Sequence, residues 1–421
     1  MEEQRYAAFT MSDSSAISPK LRAIFGDPDE GAVRQIVACL ADERAIAGAL
    51  MADHHLGYSM PIGGVVAYAG AISPSGVGFD IACGNKAVRT DIRADEVDVE
   101  PTLREIEHRV AFGIGRKNPD PVDSPVLDDE RWKTADEIDP KLRSLARDQL
   151  GTVGSGNHYV DLLADEDGWL WIACHFGSRG FGHKVASGFL SVAAGRAFTD
   201  RVPEKEEPTV LDVRSPSGAT YLELMVLAGD YAYAGRDIVV DQLLGILDNP
   251  QVTKSVHCHH NYAWLENGLY VVRKGATPLT GAPAFIGGSM GDISVIVRGT
   301  GEDIGALSSA PHGAGRLVSR MKAAGKWKKV VEMRTRPDGT TYRFKGRVRD
   351  KSTALIDFDE VKTDLAKRGI VVRGAGADEA PAVYKDLRTV LAQHPNIRVE
   401  HTLRPIGVVM AGEDIFDPYK D

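Results

Sequence analysis

The chain has 421 residues, of which 43% are hydrophobic and 26% charged, and its formal net charge is −9. This composition is typical of a globular protein with a large core, and the length alone allows two or three domains. The acidic balance excludes a protein that coats nucleic acid by bulk electrostatics, so a polyanionic partner must be met by a local patch.

Targeting and redox signals are weak along the whole chain. No apolar run approaches the ~20 residues needed to cross a bilayer, and no signal-peptide core follows Met1. We therefore expect a cytoplasmic protein with no membrane partner. The four cysteines form no C-x-x-C pair, which argues against a disulfide framework and against a structural zinc ribbon.

The first 50 residues are predicted to be mainly helical, with an amphipathic pattern that runs from Val33 to Ala47. A glycine-dense stretch follows and contains an apolar strand over residues 65–72. At its end, Asp80 and Cys83 stand three residues apart in a glycine-bounded turn. A carboxylate and a thiolate at this spacing can face one ion and suit Zn or Mn better than Mg. The alternative is a buried structural cysteine, because D-x-x-C is common by chance.

Two further glycine-rich segments carry polar side chains. L-G-T-V-G-S-G-N-H-Y-V-D places Asn157, His158 and Asp161 after three glycines, a pattern that does not fit the G-x-G-x-x-G dinucleotide fingerprint. Such a loop can bring an amide to a phosphate and an imidazole to a metal. A strand predicted over residues 169–174 then leads to His175 in H-F-G-S-R-G-F-G-H, which is predicted to be a ligand loop that includes Arg179.

A core helix is predicted over residues 219–247, followed by a strand over residues 252–261 that contains S-V-H-C-H-H-N. Because side chains alternate along a strand, Cys258 and His260 are expected on one face, and His257 and His259 on the other. Only one of these pairs can reach a shared site. The turn G-G-S-M-G-D-I-S, residues 287–294, has the small residues expected around a phosphate.

The segment S-S-A-P-H-G-A-G-R-L-V-S-R places His312 before Gly313 and Gly315, with Arg316 and Arg320 following. The glycines allow backbone N–H groups to approach an anion, and we expect a helix that starts near Arg316 and presents both arginines on one face. An imidazole held there could attack phosphorus and carry it covalently. The alternative is a capped turn around a core histidine.

Residues 320–351 are strongly basic, with aromatic residues interleaved and an R-P-D-G turn between strand-like halves. This pattern predicts a basic hairpin suited to a nucleic-acid backbone, or otherwise a solvated surface hairpin. Beyond it we expect helices over residues 359–368 and 381–393 and strands over residues 371–372 and 407–410. Together the elements predict one α+β domain over residues 1–421, a single large mixed domain with layered β-sheets flanked by helices.

Five candidate metal ligands come from four separated segments: Asp80, Cys83, His158, His175 and His260. Five groups are more ligands than one tetrahedral ion can bind. If two ions share the Cys83 thiolate, each has three protein ligands and keeps open positions for substrate oxygens, as catalytic sites require. The count therefore favours two metals.

The ordered set G-V-G-F-D-I-A-C-G, L-G-T-V-G-S-G-N-H, H-F-G-S-R-G-F-G-H, H-N, R-K-G-A-T, G-S-M-G and P-H-G-A-G-R resembles the RtcB family of RNA-splicing ligases from about Leu56 to Val409. The resemblance implies a ligase that uses GTP and two Mn²⁺ ions to join RNA ending in a 3′-phosphate or 2′,3′-cyclic phosphate to RNA with a 5′-OH. It also implies RNA repair or tRNA splicing as the role, and an archease-type activator as a partner.

Residue by residue, the resemblance implies that His312 takes GMP as a phosphoramidate. Asp80, Cys83 and His158 would hold one Mn²⁺, and Cys83, His175 and His260 the other. Arg179 and Arg316 would contact phosphates of RNA or nucleotide. The implied GTP-binding residues are Asn157, His158, Asp161, Asn261, Gly287, Gly288, Ser289, Met290, Ser294, His312, Gly313, Ala314 and Gly315.

Several positions depart from the family pattern and indicate a divergent member. The lysine-glycine pair at the family's C-terminus is replaced by V-V-M-A-G, with Met410 and Ala411, which puts guanine selectivity in question. Val272 stands where a histidine is expected, Asp161 where a glutamate is expected, and the basic hairpin at residues 320–351 resembles an insertion. Two alternatives therefore stay open: a dinuclear-metal RNA cyclic phosphodiesterase or phosphatase without nucleotide transfer, and a non-catalytic RNA-binding relative.

Overall fold

A computed structural model describes residues 17–202, 207–335 and 339–413. Within these ranges it contains ten α-helices and nineteen β-strands. The helices are α1 (Glu30–Leu40), α2 (Pro74–Val77), α3 (Val99–Arg109), α4 (Trp132–Ile138), α5 (Lys141–Gln149), α6 (Arg179–Ala193), α7 (Pro216–Ile246), α8 (Arg320–Ala324), α9 (Phe358–Lys367) and α10 (Leu387–Ala392).

The strands run along the whole described chain. They are β1 (Leu21–Ile24), β2 (Ala45–His55), β3 (Ile62–Ala69), β4 (Ala71–Ile72), β5 (Gly84–Arg93), β6 (Tyr159–Ala164), β7 (Trp169–Phe176), β8 (Leu211–Asp212), β9 (Val252–His259), β10 (Asn261–Glu266), β11 (Leu269–Lys274), β12 (Ala276–Pro278), β13 (Ala284–Ile286), β14 (Ser294–Gly299), β15 (Ser309–Pro311), β16 (Trp327–Thr335), β17 (Thr341–Arg349), β18 (Val371–Ala375) and β19 (Ile397–Gly412).

Two large sheets organise the fold. One has five strands in the order β1-β2-β3-β11-β10, and the other has eight, in the order β13-β14-β19-β6-β7-β5-β9 with β18 paired to β19. Most neighbours are antiparallel, and the parallel pairs within the sheets are β1 with β2 and β18 with β19. Helices lie beside both sheets. The predicted α+β class, a single mixed domain of layered sheets flanked by helices, is confirmed.

Helix α7 connects the two halves of the core. Ser215 caps it by accepting a hydrogen bond from the N–H of Gly218, and Pro216 occupies its first turn, so the helix starts where the 3.6-residue apolar pattern begins. Its first half, including Tyr221 and Met225, packs in the cluster below the five-stranded sheet. Its second half, including Leu243, packs in the cluster below the eight-stranded sheet. Full burial of each such side chain stabilises the fold by about 1.5–3 kcal/mol.

The N-terminal prediction is wrong at Leu21–Ile24, which forms β1, and again beyond Leu40. Asp29 caps α1 by accepting the N–H of Ala32, and the helix ends at Leu40. The alanine-rich run that follows is strand β2, paired with β3 in the register Ala47 to Ala67, because hydrogen bonding to a neighbouring strand overrides the helical pattern. Residues 1–16, which the helical prediction also covered, lie outside the described residues.

Three other local predictions need correction. The segment predicted as a ligand loop after residue 175 is helical from Arg179, the first residue of α6. The helix predicted to start near Arg316 begins only at Arg320, where Ser319 provides the cap. The C-terminal helix is shortened to Leu387–Ala392, because Asp386 caps it by accepting the N–H of Thr389.

The basic segment forms a two-stranded hairpin in which β16 pairs with β17 in antiparallel register, from Trp327 opposite Arg349 to Thr335 opposite Thr341. Of the expected R-P-D-G turn, residues 336–338 lie outside the described residues. That the hairpin is an insertion stays a prediction. Among the described helices, none combines the length and the apolar character required to cross a bilayer.

Candidate metal centre and active site

The candidate metal ligands meet because three neighbouring strands of the eight-stranded sheet end together. Gly84, at the start of β5, pairs with Phe176 at the end of β7 and with His259 at the end of β9. Cys83, His175 and His260 are the sequence neighbours of these paired residues. They therefore lie together where the three strands end. Gly84 is required at this point, since a Cβ there would lie 2.1 Å from the carbonyl oxygen of Cys258.

The first ligand set contains Cys83, His175 and His260. The Sγ of Cys83 lies 3.2 Å from Nε2 of His175, and this nitrogen lies 3.2 Å from Nε2 of His260. The Nδ1 of His175 contacts the carbonyl oxygen of Asn157 at 2.7 Å. That contact places the ring proton on Nδ1 and leaves the Nε2 lone pair directed at the cluster, as in the outer shell of many metal sites.

The second set shares the same sulfur. Nε2 of His158 lies 2.8 Å from a carboxylate oxygen of Asp80 and 3.6 Å from Sγ of Cys83. In each set the three ligand atoms lie within 4.8 Å of one another. The structure thus brings together all five ligand candidates, in the two trios that share Cys83. Thiolate, imidazole and carboxylate are a fitting donor set for two borderline divalent cations such as Mn²⁺ or Zn²⁺.

Burial and neighbouring side chains determine the charge states of these metal-ligand candidates. It lowers the pKa of His175 to about 3 and that of His260 well below its usual value, so both rings are neutral at pH 7. Burial opposes ionisation of Asp80, but the neighbouring His158 outweighs it and holds the pKa of Asp80 well below the usual range. Neutral imidazoles and an ionised carboxylate are the forms that bind metal.

The buried guanidinium of Arg236, in α7, contacts residues adjacent to the first ligand set. Arg236 donates hydrogen bonds to the carbonyl oxygens of Ala82, at 3.1 Å, and Phe176, at 2.6 Å. It also lies 2.8 Å from Nδ1 of His259 and donates to Nε2 of His257. Three of these partners adjoin Cys83, His175 and His260 in sequence. One side chain therefore holds a sequence neighbour of each of the three ligands, through the backbone at Ala82 and Phe176 and through the ring at His259.

The alternation expected in the H-C-H-H segment holds for one pair only. His257 and His259 share a face of β9, as their common contact with Arg236 shows. Strand β9 ends at His259, so His260 no longer follows the alternation and reaches the cluster without Cys258. The expectation that one of the two pairs reaches the site is therefore not met, because of the four residues only His260 belongs to the metal trios.

His312 lies directly beside the metal cluster. It follows β15, which pairs with β12, and the N–H of Ala276 in β12 donates to the carbonyl oxygen of His260. The ring centroids of His312 and His260 are 4.8 Å apart. Gly315 is required in the next turn, because a Cβ there would lie 2.2 Å from the carbonyl oxygen of Asp53.

Asp53 is the site residue that the sequence analysis missed. One of its carboxylate oxygens lies 2.7 Å from Nδ1 of His312 and also accepts the backbone N–H groups of His312, at 3.0 Å, and Gly313, at 3.3 Å. Burial opposes its ionisation, yet the hydrogen bond and charge of His312 lower its pKa below the usual value. The available signal was a carboxylate inside the apolar run A-L-M-A-D-H-H.

Some of the residues expected around GTP lie in two adjoining loops, the turn after β13 and the His312 loop. The turn after β13 adjoins the His312 loop, since Gly287 bridges to Gly313 and its N–H contacts the carbonyl oxygen of His312 at 3.3 Å. Within the turn, the N–H of Gly288 donates to Oγ of Ser294 at 3.1 Å. Ser289 and Met290 belong to the same turn, and Ala314 is buried in the His312 loop.

Three further nucleotide candidates surround the cluster. The side chain of Asn261 accepts the N–H of Gly275 and donates to the carbonyl oxygen of Asp80. Asn157 precedes His158 and supplies its carbonyl oxygen to His175. Asp161 lies in the middle of β6 with one carboxyl oxygen buried and without a hydrogen-bond partner, and burial raises its pKa well above the usual value.

The two candidate phosphate-binding arginines differ in their surroundings. Arg179 starts α6 and donates to Thr152 and to the carbonyl oxygen of Gly113, next to the glycine loop that carries His158. Arg316 instead stacks on Tyr384 and contacts Glu379 at 3.5 Å, so a carboxylate of the chain itself already opposes its charge. Arg320 pairs with the same Glu379, which brings the two arginines together without the shared helical face that was expected.

Comparison with known proteins gives a consistent result. The family model described as tRNA-splicing ligase RtcB matches residues 36–350. The chain is 30% identical to the tRNA-splicing ligase RtcB of Pyrobaculum aerophilum, over 86% of this chain and 87% of the relative. It is also 30% identical to the RNA-splicing ligase RtcB of Escherichia coli K12, over 86% of this chain and 89% of the relative. A homologue from Entamoeba histolytica is 28% identical over 90% of this chain.

Proposed function

Because this chain belongs to the RtcB family of tRNA-splicing ligases, we propose that it is an RNA ligase that joins a 3′-phosphate or 2′,3′-cyclic phosphate end to a 5′-OH end. The proposed cofactors are GTP and two Mn²⁺ ions. The observation that carries the proposal is the position of His312, whose ring packs against His260 of the metal cluster and whose Nδ1 is held by Asp53. A cytoplasmic location agrees with RNA as the substrate.

The first step concerns His312. With its Nδ1 bound to the Asp53 carboxylate, the ring carries its lone pair on Nε2. In the proposal, Nε2 attacks the α-phosphorus of GTP, and the new N–P bond forms as the bond to pyrophosphate breaks. Asp53 stabilises the positive charge that develops on the ring, as an acidic partner does for a catalytic histidine.

The later steps transfer the nucleotide to RNA. An oxygen of the RNA 3′-phosphate attacks the His312-bound GMP, which breaks the N–P bond and leaves the RNA end linked to GMP through a phosphoanhydride. The RNA 5′-OH then attacks the 3′-phosphorus, and GMP leaves. A cyclic end is first opened by water. When bound, Mn²⁺ at the two trios supplies positive charge that neutralises the phosphate oxygens.

The nucleotide-contacting roles are part of the same proposal. The proposed nucleotide contacts are the turn at Gly287–Ser294, the loop at His312–Gly315, and Asn157 and Asn261 beside the metal trios. The N–H groups of Gly287, Gly288, His312 and Gly313 are bonded within the chain, which holds the turn and the loop together. Asp161, whose pKa is raised well above the usual value by burial, is also a proposed nucleotide contact. Arg179 is the proposed phosphate contact. Arg316, which Glu379 already neutralises in part, takes that role if RNA displaces the carboxylate.

A metal cluster alone would equally suit a dinuclear phosphodiesterase, and an inert relative could retain it. The pair formed by buried Asp53 and partly exposed His312 favours the ligase, because hydrolysis by a metal-activated water does not require a nucleophilic imidazole. The decisive assay mixes the protein with Mn²⁺, GTP, a 3′-phosphate RNA and a 5′-OH RNA. Joined product, absent without GTP and absent in His312→Ala, is expected. Opening of cyclic ends without joining would favour the phosphodiesterase, and RNA binding alone would favour the inert relative.

An archease-type activator is also proposed, on the family resemblance alone. Adding purified archease to the joining assay tests it, because an activator of this kind is expected to increase the number of products per enzyme. Equal turnover with and without archease would contradict this part of the proposal and leave the ligase activity unaffected.

A further inference from the structure

The hairpin formed by β16 and β17 stands apart from both main sheets and pairs with no other strand among the described residues. Its two strands carry seven basic side chains and one acidic one. The chain as a whole has a net charge of −9, so this concentration of positive charge is local. A local basic patch on an acidic protein indicates a specific polyanionic partner.

The register places most of this charge on one face. Residues directly opposite in an antiparallel pair share a face, and Lys329 lies opposite Arg347, Val331 opposite Lys345, and Met333 opposite Arg343. We call the side that carries Lys329, Arg343, Lys345, Arg347 and Arg349 the basic face. The single acidic residue, Glu332, lies opposite Phe344 on the other face and bonds Arg334 there.

Three cations of the basic face have no acidic partner among the described residues, whereas Arg349 lies beside Asp378. Lys329, Arg343 and Lys345 are exposed, and no described carboxylate lies within ion-pair distance of any of them. Side chains two apart on a strand are about 7 Å apart, a spacing at which like charges repel in water. Val331 and Met333 between them are 54% and 65% exposed. Such a face is suited to a partner with repeated negative charges and apolar surfaces.

The base of the hairpin is fixed next to the candidate active site. Arg349 stacks on Trp327 at 4.3 Å and lies 3.6 Å from the carboxylate of Asp378. Asp378 also contacts Arg320, whose other partner, Glu379, contacts Arg316 of the His312 loop. Trp327 and Arg349 line a small cavity together with Ser155 and Gly156, the two residues that precede Asn157. The base of the hairpin, where the basic face starts, therefore lies next to the candidate active site.

We propose that the basic face binds the sugar-phosphate backbone of the RNA whose end enters the active site; this inference rests on the proposed ligase function. Cations repeated every ~7 Å along β17 match the repeat of phosphates along a nucleic-acid strand. Val331 and Met333 offer apolar contact to ribose and bases. Contacts to phosphate and sugar carry no sequence information, so the proposed binding is independent of sequence and sensitive to salt.

The test measures binding of a 3′-phosphate RNA by fluorescence anisotropy across a range of KCl concentrations. The variant Arg343→Gln/Lys345→Gln/Arg347→Gln removes three charges from the basic face. We expect at least a tenfold weaker affinity at low salt and a slope of log K against log salt smaller by about 2, since each lost phosphate contact removes ~0.7 for a single strand. Affinity and slope equal to those of the unmodified protein would overturn the proposal.

The matched control removes the same charge elsewhere. Lys133→Gln/Lys141→Gln/Arg147→Gln changes three exposed cations on α4 and α5 and is expected to leave affinity and slope close to the original values. Arg343→Lys/Arg347→Lys keeps the charge and is expected to keep RNA binding. If the triple hairpin variant fails to fold, Lys345→Gln alone is expected to lower the slope by ~0.7, and an unchanged slope overturns the proposal.

Two further readouts distinguish the possible failures. Transfer of label from GTP to the protein, measured without RNA, is expected to be unchanged in the hairpin variant. If the unmodified protein takes no label, the proposed function fails, whereas normal labelling with unchanged RNA affinity refutes the hairpin proposal alone. Polyglutamate serves as an acidic-polypeptide probe. If the substitutions weaken polyglutamate binding and not RNA binding, the face binds an acidic protein and the proposal is wrong.

Discussion

A carboxylate oxygen of Asp53 lies 2.7 Å from Nδ1 of His312 and accepts the backbone N–H of the same residue. The carboxylate therefore fixes both the ring orientation and the tautomer, with the proton on Nδ1. The fully buried side chain of Asp53 belongs to β2 of the five-stranded sheet, whereas the metal ligands come from the edge of the eight-stranded sheet. The candidate active site is thus assembled between the two sheets.

Asp53→Asn is expected to lower the rate of His312 guanylylation by at least ~100-fold. An amide cannot stabilise the imidazolium and can hold the wrong tautomer, which is the basis of similar losses in other catalytic histidine pairs. The measurement is the initial rate of label transfer from GTP. Metal content provides the control, since Asp53 touches no member of the two trios and Asp53→Asn should retain both ions. A variant that labels at the normal rate would exclude Asp53 from the chemistry.

The shared sulfur gives a prediction about metal number. Cys83→Ala removes a ligand from both trios and is expected to reduce bound Mn²⁺ from two ions per chain to fewer than one, because two-ligand sites bind weakly. His175→Ala affects one trio and should retain one ion. Metal analysis after dialysis, together with Mn²⁺ titration by electron paramagnetic resonance, measures both. Equal losses for the two variants would argue against a bridging thiolate.

Arg236→Gln is expected to weaken Mn²⁺ binding by about 10–100-fold although Arg236 touches no metal ligand side chain. The guanidinium holds the residues next to Cys83, His175 and His260 in sequence, and loss of such outer contacts typically has this effect. The thiolate-to-Co²⁺ charge-transfer band of the cobalt-loaded protein reports the geometry independently of activity.

Arg273→Gln is the matched control for Arg236. Arg273 is also fully buried, but it pairs with Glu266 and Ser309 and contacts no residue of the metal trios. We expect a loss of stability in both variants and a loss of metal affinity only in Arg236→Gln. If both variants lose metal in proportion to their stability, Arg236 has only a structural role.

The buried carboxyl of Asp161 gives a pH dependence of stability. Its folded-state pKa is raised by burial, so the group favours folding below its unfolded pKa of about 3.9, and this contribution is lost as pH rises toward the folded value. In that window the free energy of unfolding falls by ~1.4 kcal/mol per pH unit from this group. Asp161→Asn removes the effect, and urea unfolding at successive pH values above 4 should show an advantage for the variant that grows until the folded-state pKa is passed. Asp95→Asn, at an exposed position, should show no such trend.

The sequence predicts the ligand chemistry better than the local backbone. The two metal trios follow from residue types and from the family motifs, and the structure brings the same five side chains together. The helix expected at Arg316 fails because Ser319 supplies the cap four residues later than a turn beginning at the glycines would require. The N-terminal helix fails beyond Leu40 because small apolar residues fit either state, and pairing with β3 decides between them.

Asp53 shows why a complete site could not be read from the sequence. It lies 259 residues before His312, in an apolar strand without a motif of its own, and only the packing of the two sheets makes them neighbours. Arg236 likewise lies in a predicted core helix. The apolar periodicity of this helix predicts that the neighbouring residues are buried, but it does not predict the burial of an arginine. Contacts between residues far apart in the sequence leave no local motif, so they could not be predicted from the sequence alone.

We propose that His312 accepts GMP beside a two-metal cluster. The most direct measurement incubates the protein with Mn²⁺ and GTP labelled on the α-phosphorus, then maps the label by peptide mass spectrometry. We expect an acid-labile, base-stable adduct on His312 that is absent in His312→Ala and absent after Mn²⁺ is removed by chelation. Label on another residue, or no label from GTP with both metal sites filled, would contradict the account.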